Sequence, residues 1–195
     1  MNARDTHTLI PPVIPTHPSS PYGGWLKRYP LRSFLELGAY PDAPGSARGH
    51  VRNVLADWGL EQFSEAVTLV VSELVTNALV ATREATWEAG LPPVRLWLLG
   101  SPGVDGAGEV MVLVWDAVAG ECVPAGPHRA GEEDESGRGL SIVGWLSGQQ
   151  WDSYLPAAPY GGKVTRALID RPWRDRPPDQ SGRGHGTVAQ SPLFA

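Results

Sequence analysis

The sequence predicts an α+β domain built as a two-layer sandwich, with helices on one face of a mixed, mostly antiparallel sheet. Three observations carry that expectation. Residues 64–86 follow one long amphipathic helix pattern, in which Val67, Val70, Val71, Leu74 and Ala78 trace an apolar stripe at i, i+3, i+4, i+7 and i+11. Val94–Leu99 and Val110–Trp115 are apolar, β-rich runs joined by Ser-Pro-Gly-Val-Asp-Gly-Ala-Gly, which has the chemistry of a hairpin loop. Two further short strands are expected near 151–155 and 163–169, so the order reads β-α-α-β-β-loop-α-β-β.

Taken in order, residues 33–39 (Ser-Phe-Leu-Glu-Leu-Gly-Ala) form the opening strand. Ser46 is placed to cap a helix running to about Trp58, with Val51, Leu55 and Trp58 inward and Gly59 as its stop. The long helix and the two apolar strands follow. Residues 117–136 are irregular, rich in glycine and proline, and carry the acidic cluster Glu132 to Glu135. A short helix is expected from about Gly139 to Leu146, and Pro156-Ala-Ala-Pro-Tyr-Gly-Gly links the last two strands. Residues 1–29, with Pro11, Pro12, Pro15, Pro18 and Pro21, read as a flexible arm, and residues 171–195 as a disordered tail. That leaves 30–170 as the folded domain.

A chain of 195 residues suffices for one domain with a full core and is short for two. With 19% charged residues and a net charge of −5, it lacks the basic patch of a nucleic-acid binder, so no direct nucleic-acid partner is expected. The 14 Arg against only Lys27 and Lys163 reflect codon bias rather than function. Cys122, as the single cysteine, excludes an intramolecular disulfide and a cysteine-rich metal site, and suits a reducing cytoplasm. No run of 18 apolar residues and no basic-then-apolar leader are present, so neither membrane insertion nor secretion is expected.

Three motifs bear on chemistry. Glu73 and Asn77 lie four residues apart, on one face of the long helix and beside its apolar stripe. If buried there, they need partners such as a metal, a phosphate or a water; an ordinary surface pair offers the same spacing. Next, the strand Val112-Leu-Val-Trp-Asp116 ends in a carboxylate, with Gly120 four residues on. Such a carboxylate can accept a hydrogen bond from the exocyclic amine of a base such as adenine, and the glycine lets backbone pass close to a flat ring; an aspartate capping a turn would look the same. Last, Ser136-Gly137-Arg138-Gly139-Leu140-Ser141-Ile142-Val143 puts two glycines directly before a helix, where amides and the helix dipole can meet phosphate oxygens. A Walker A loop is excluded, because Val164 follows Gly162-Lys163 and Ala157 stands where the leading glycine belongs. A Rossmann motif is excluded by the missing third glycine and the absence of βαβ alternation.

In this order the motifs resemble those of the ATPase superfamily shared by gyrase, Hsp90, histidine kinases and mismatch-repair proteins (GHKL). Glu73…Asn77 is similar to its N box, Asp116…Gly120 to its first glycine box and Gly137-Arg138-Gly139-Leu140 to its second. More narrowly, the strings Ser-Glu-Leu-Val-Thr-Asn-Ala, Gly-Arg-Gly-Leu-Ser-Ile-Val and Gly-Gly-Lys resemble the bacterial serine-kinase anti-sigma factors, over roughly residues 34–170. The resemblance implies a Bergerat-type ATP-binding fold with ATP and Mg²⁺ as cofactors. It implies Asn77 as the Mg²⁺ ligand, Glu73 as general base, and Asp116 as the residue that holds adenine. It further implies Gly120 against the base, Gly137, Gly139 and the Leu140 amide around the phosphates, Arg138 as a phosphate or partner contact, and residues 121–136 as a lid. The chain departs from the family pattern at Val118, where a further glycine is usual, at Lys163-Val164, where threonine usually follows the glycines and Thr165 comes later, and after Asn77-Ala78, where no histidine follows.

Two functions follow from the resemblance. One is a protein serine/threonine kinase that phosphorylates an anti-sigma antagonist and controls transcription by sequestering a sigma factor. The other is a non-catalytic ATP-binding switch module in the same kind of partner-switching network. Homodimer pairing is implied as well. A histidine-kinase reading is disfavoured, since none of His7, His17, His50, His128 or His185 lies in a dimerisation-helix pattern, and topoisomerase or chaperone function would need further domains.

Overall fold

A computed structural model describes residues 28–104, 107–120, 135–156 and 161–173. In chain order the elements are β1 (Leu31–Leu37), α1 (Ala43–Asp57), a 3₁₀ turn at Glu61–Phe63, α2 (Ser64–Glu84), β2 (Val94–Pro102), β3 (Gly108–Asp116), α3 (Glu135–Ser147), β4 (Trp151–Tyr154) and β5 (Lys163–Ile169). The strands form one open sheet in the order β1-β2-β3-β5-β4, and every neighbouring pair is antiparallel, where a mixed sheet was expected. The α+β class and the order of elements are those read from the sequence.

Strand alternation sorts the side chains onto two faces. Leu96, Leu98, Val110, Val112, Val114, Ala167 and Ile169 point to the helical side. There they meet Val67, Val70, Val71, Leu74 and Val75 of α2, all nearly or fully buried. Each such Val or Leu contributes about 1.5–3 kcal/mol relative to exposure. The stretch Glu61–Glu84 is long and apolar enough by length and composition to cross a membrane, yet 56% of its apolar window is buried inside the fold. The opposite face carries a second apolar cluster around Trp97, Leu99, Leu113 and Trp115. Burial on both faces explains why β2 and β3 read as continuous apolar runs rather than alternating ones.

Several boundaries differ from expectation, each for a local reason. Helix α1 starts at Ala43 rather than at a Ser46 cap, because Pro44 falls in the first turn, where its fixed φ suits a helix and its missing N–H costs nothing; Asp42 precedes it without a side-chain cap. Its end is as expected: Gly59 takes a positive φ of 68°, while its amide bonds Ala56 O at 3.2 Å and that of Leu60 bonds Leu55 O at 2.9 Å. Strands β2 and β3 extend to Pro102 and from Gly108, which shortens the hairpin loop. Helix α3 begins at Glu135, so Gly137 and Gly139 lie within it instead of before it. Tyr29 is 2% exposed, so the chain is held two residues ahead of β1, inside the span read as arm. Trp173 packs edge-on against Trp145, with ring centroids 5.0 Å apart, so the ordered chain continues past Arg171. The remainder of the arm (1–27), of the tail (174–195) and most of the expected lid (121–134) lie outside the described residues.

Candidate functional site

Asp116 is the last residue of β3, and by alternation after Val110, Val112 and Val114 it faces the helical side. It is 3% exposed. Its Oδ1 accepts the Val118 N–H at 2.9 Å, the turn-capping contact that the sequence left as an alternative. Burial pushes its pKa above the ordinary carboxylate value, opposed by the charge of Lys163 and by the Val118 N–H. Lys163 stands opposite Asp116 in the β3–β5 register. The entry to β5 is pressed against the same strand end. Gly162 has a φ of 69°, and a Cβ there would collide with the Asp116 carbonyl oxygen and come within 2.8 Å of Trp115 Nε1. The Trp115 indole N–H donates to Gly161 O at 3.0 Å, which fixes this junction. A Cβ on Gly120 would lie 3.8 Å from Lys163 Nζ, so the end of the first glycine motif also reaches the Lys163 ammonium.

The second grouping joins α2 and α3. Glu73 and Asn77 are both half-buried, one turn apart on α2. Neither side chain has a hydrogen-bond partner among the described residues. A Cβ on Gly139 would sit 2.5 Å from Glu73 Oε2, so the backbone of α3 lies directly over that carboxylate. Gly139 is buried, and Leu140 packs by its side chain against the helical-side core. Because α3 starts at Glu135, the amides of Gly139 and Leu140 fall beyond the free N–H groups of its first turn; those of Glu135 to Gly137 are the unpaired ones. The amides at the very start of α3 are thus those of the residues ahead of Gly139 and Leu140. Gly137 and Arg138 occupy that first turn.

The fold thus gathers Glu73 with Gly139 on the helical side of the sheet, and Asp116 with Gly120, Gly162 and Lys163 at the end of β3. Two participants were not singled out as site residues in the sequence: Lys163 and Gly162 entered as part of the Gly-Gly-Lys string that carries the family resemblance, and Lys163 also as a departure from a threonine pattern. Their signal was the Gly-Gly-Lys opening of β5, which gains meaning once the register sets it beside the end of β3. Thr165 lies opposite Val114 and on the same strand face as Lys163.

No group of three or more His, Cys, Asp or Glu side chains gathers as a metal centre among the described residues. A hard cation carried in with nucleotide phosphates needs only one or two protein oxygens, and the Asn77 amide, without a hydrogen-bond partner among the described residues, is a group of that chemistry. Compared with models of known protein families and with curated proteins, the chain matches none.

Proposed function

We propose that the chain is a Mg-ATP-binding regulatory protein of the anti-sigma type, on a Bergerat-type fold. In this reading it is a cytoplasmic protein serine/threonine kinase that phosphorylates an anti-sigma antagonist, controls transcription by holding a sigma factor, and pairs as a homodimer. The observation that carries the reading is Glu73 and Asn77: two half-buried polar groups one helical turn apart, with no partner among the described residues. Part exposure leaves both side chains open to water as well as to a ligand; their shared helix face, directly under the glycine-bearing start of α3, is what supports the ligand. Asp116, 3% exposed at a strand end and engaged at Oδ1 by the Val118 N–H, is the companion feature for a base amine.

Magnesium, when bound with ATP, would supply charge neutralisation at the phosphates, and Asn77 would hold it through the amide oxygen. Asp116 would orient the adenine, and the amides in the first turn of α3 would bind phosphate oxygens. Glu73 would accept the proton of a serine hydroxyl as the terminal phosphoryl group passes from ATP to that oxygen, leaving ADP.

The runner-up, a switch module that binds ATP without transferring phosphate, is favoured by one observation. The Gly139 backbone closes over Glu73 Oε2, where an acceptor hydroxyl would have to approach. Calorimetry tests the shared part: Mg-dependent ATP or ADP binding, weakened by Asn77→Ala or Asp116→Ala by about 1.5–3 kcal/mol, roughly 10- to 150-fold. Labelled ATP with serine-bearing antagonist candidates then separates the two, since Glu73→Ala should cut transfer by about 10²–10⁴-fold while binding changes little. Wild-type binding without transfer to any candidate selects the switch module, and absence of wild-type binding ends both readings.

A further inference from the structure

The face of the sheet turned away from the helices is a finished hydrophobic layer. Phe34, Trp97, Leu99, Met111, Leu113, Trp115, Val164 and Leu168 line it across β1, β2, β3 and β5. Leu113 is 0% exposed, Leu99 2% and Trp97 3%, although all three described helices lie on the other side. Central residues of a bare sheet face stand in water, so something covers this one. Tyr29 and Ala117 are the only members of the cluster from outside the strands, among the described residues.

Tyr29 shows where the cover comes from. Although β1 is the edge strand, the chain just ahead of it does not leave from the edge. Arg28 reaches across β2 to Glu109 on β3, with Nε to Oε1 at 2.5 Å and Nη2 to Oε2 at 2.6 Å. The Arg28 guanidinium also lies over the Tyr29 ring, 5.6 Å from its centroid. The path is therefore over the outer face at the point where the described chain begins, and 27 residues precede it. The nearest of them are Tyr22-Gly-Gly-Trp25-Leu26-Lys27, which follow the last proline of that stretch and carry three large apolar side chains. Trp25 is four residues from Tyr29, a reach of at most about 14 Å at about 3.3–3.6 Å per residue, which spans neighbouring strands.

We propose that the segment preceding Arg28 docks on the outer face of the sheet, with Trp25 and Leu26 seated over Trp97, Leu113 and Trp115 and the Arg28–Glu109 pair as its anchor. The occupant is this chain's own N-terminal segment, which makes it a third layer of the domain. This inference does not rest on the nucleotide reading.

The test uses the full chain, a Trp25→Ala/Leu26→Ala variant and a deletion of residues 1–27 that keeps Arg28. Both altered chains should bind an apolar surface dye several-fold more strongly, and their tryptophans should become more accessible to acrylamide, with far-ultraviolet circular dichroism retained. A cross-link provides a second arm that needs no weakened fold. In a Cys122→Ser background, the Leu26→Cys and Met111→Cys positions should be joined within one chain by a short bis-maleimide. Unchanged dye binding and quenching in both altered chains, or absence of the intrachain cross-link, would overturn the proposal. A cross-link only between chains, together with a dimeric mass for the full protein, would assign the face to a second copy instead.

Discussion

The α-carbon of Gly139 lies so close to Glu73 that a single added methyl group would come within 2.5 Å of the Glu73 Oε2 oxygen. A helix start and a mid-helix carboxylate, distant in sequence, are thereby coupled at the group proposed as the general base.

Gly139→Ala follows from that contact. Alanine inside a helix gains up to about 1 kcal/mol over glycine, and the atom in its way is the free end of a flexible side chain. Stability by urea denaturation should therefore stay within about 1 kcal/mol of wild type. Phosphate transfer should fall, because the carboxylate is pushed aside, and adding Glu73→Ala should lower it no further. A large loss of stability would mean that the backbone of α3 gives way instead.

Gly162→Ala should behave in the opposite manner. Its left-handed φ of 69° costs an L-residue about 1–2 kcal/mol, and its Cβ would meet backbone, which cannot swing away. Adding overpacking of about 1–3 kcal/mol gives a loss of about 2–5 kcal/mol. Gly161→Ala is the control. It has a φ of 60° with open space around it, so only the backbone cost of about 1–2 kcal/mol should appear. Equal losses in the two variants would show that the press against Asp116 is unimportant.

Asp116→Asn should separate stability from ligand binding. Burial raises the Asp116 pKa, so the fold favours the neutral carboxyl; its stabilising contribution is complete below the ordinary value of 3.8 and is lost as pH rises through the raised folded-state value. Asparagine remains neutral and can still accept the Val118 N–H. The variant should thus equal or exceed wild type in stability at pH 7 and lose that advantage below pH 3.8, while binding ATP more weakly. Denaturation curves at the two pH values provide the check, and a variant less stable at pH 7 would mean that the Lys163 attraction outweighs burial.

His50 gives the fold an acid-side weakness. Its ring is half-buried, 2.8 Å from Ser33 Oγ by Nε2, and burial lowers its pKa from the usual 6.5. A depressed value means that stability present above pH 6.5 is lost as pH falls toward and through the folded-state pKa, since the unfolded chain takes up the proton first. His50→Gln, which keeps an acceptor for Ser33, should flatten the decline of stability below pH 6.5. An unchanged slope would assign that decline to other groups.

The sequence by itself determined the α+β class, the order of elements, the Gly59 helix stop and the position of Asp116 at a strand end. These depend on periodicity and on the backbone freedom of single residues, which are local properties. It also singled out Glu73 and Asn77, because a four-residue spacing fixes a shared helix face wherever the helix goes. Tertiary structure decided what local signals cannot carry. Pro44 displaced Ser46 as the start of α1, and packing of α3 against α2 carried the helix back through two glycines that on their own favour a loop. The antiparallel register of β5 on β3 set Lys163 opposite Asp116, and the fold paired Arg28, ahead of the edge strand β1, with Glu109 on β3. Each of these outcomes follows from which residues become neighbours across long stretches of chain, and that pairing exists only once the sheet and its helices have closed on a common core.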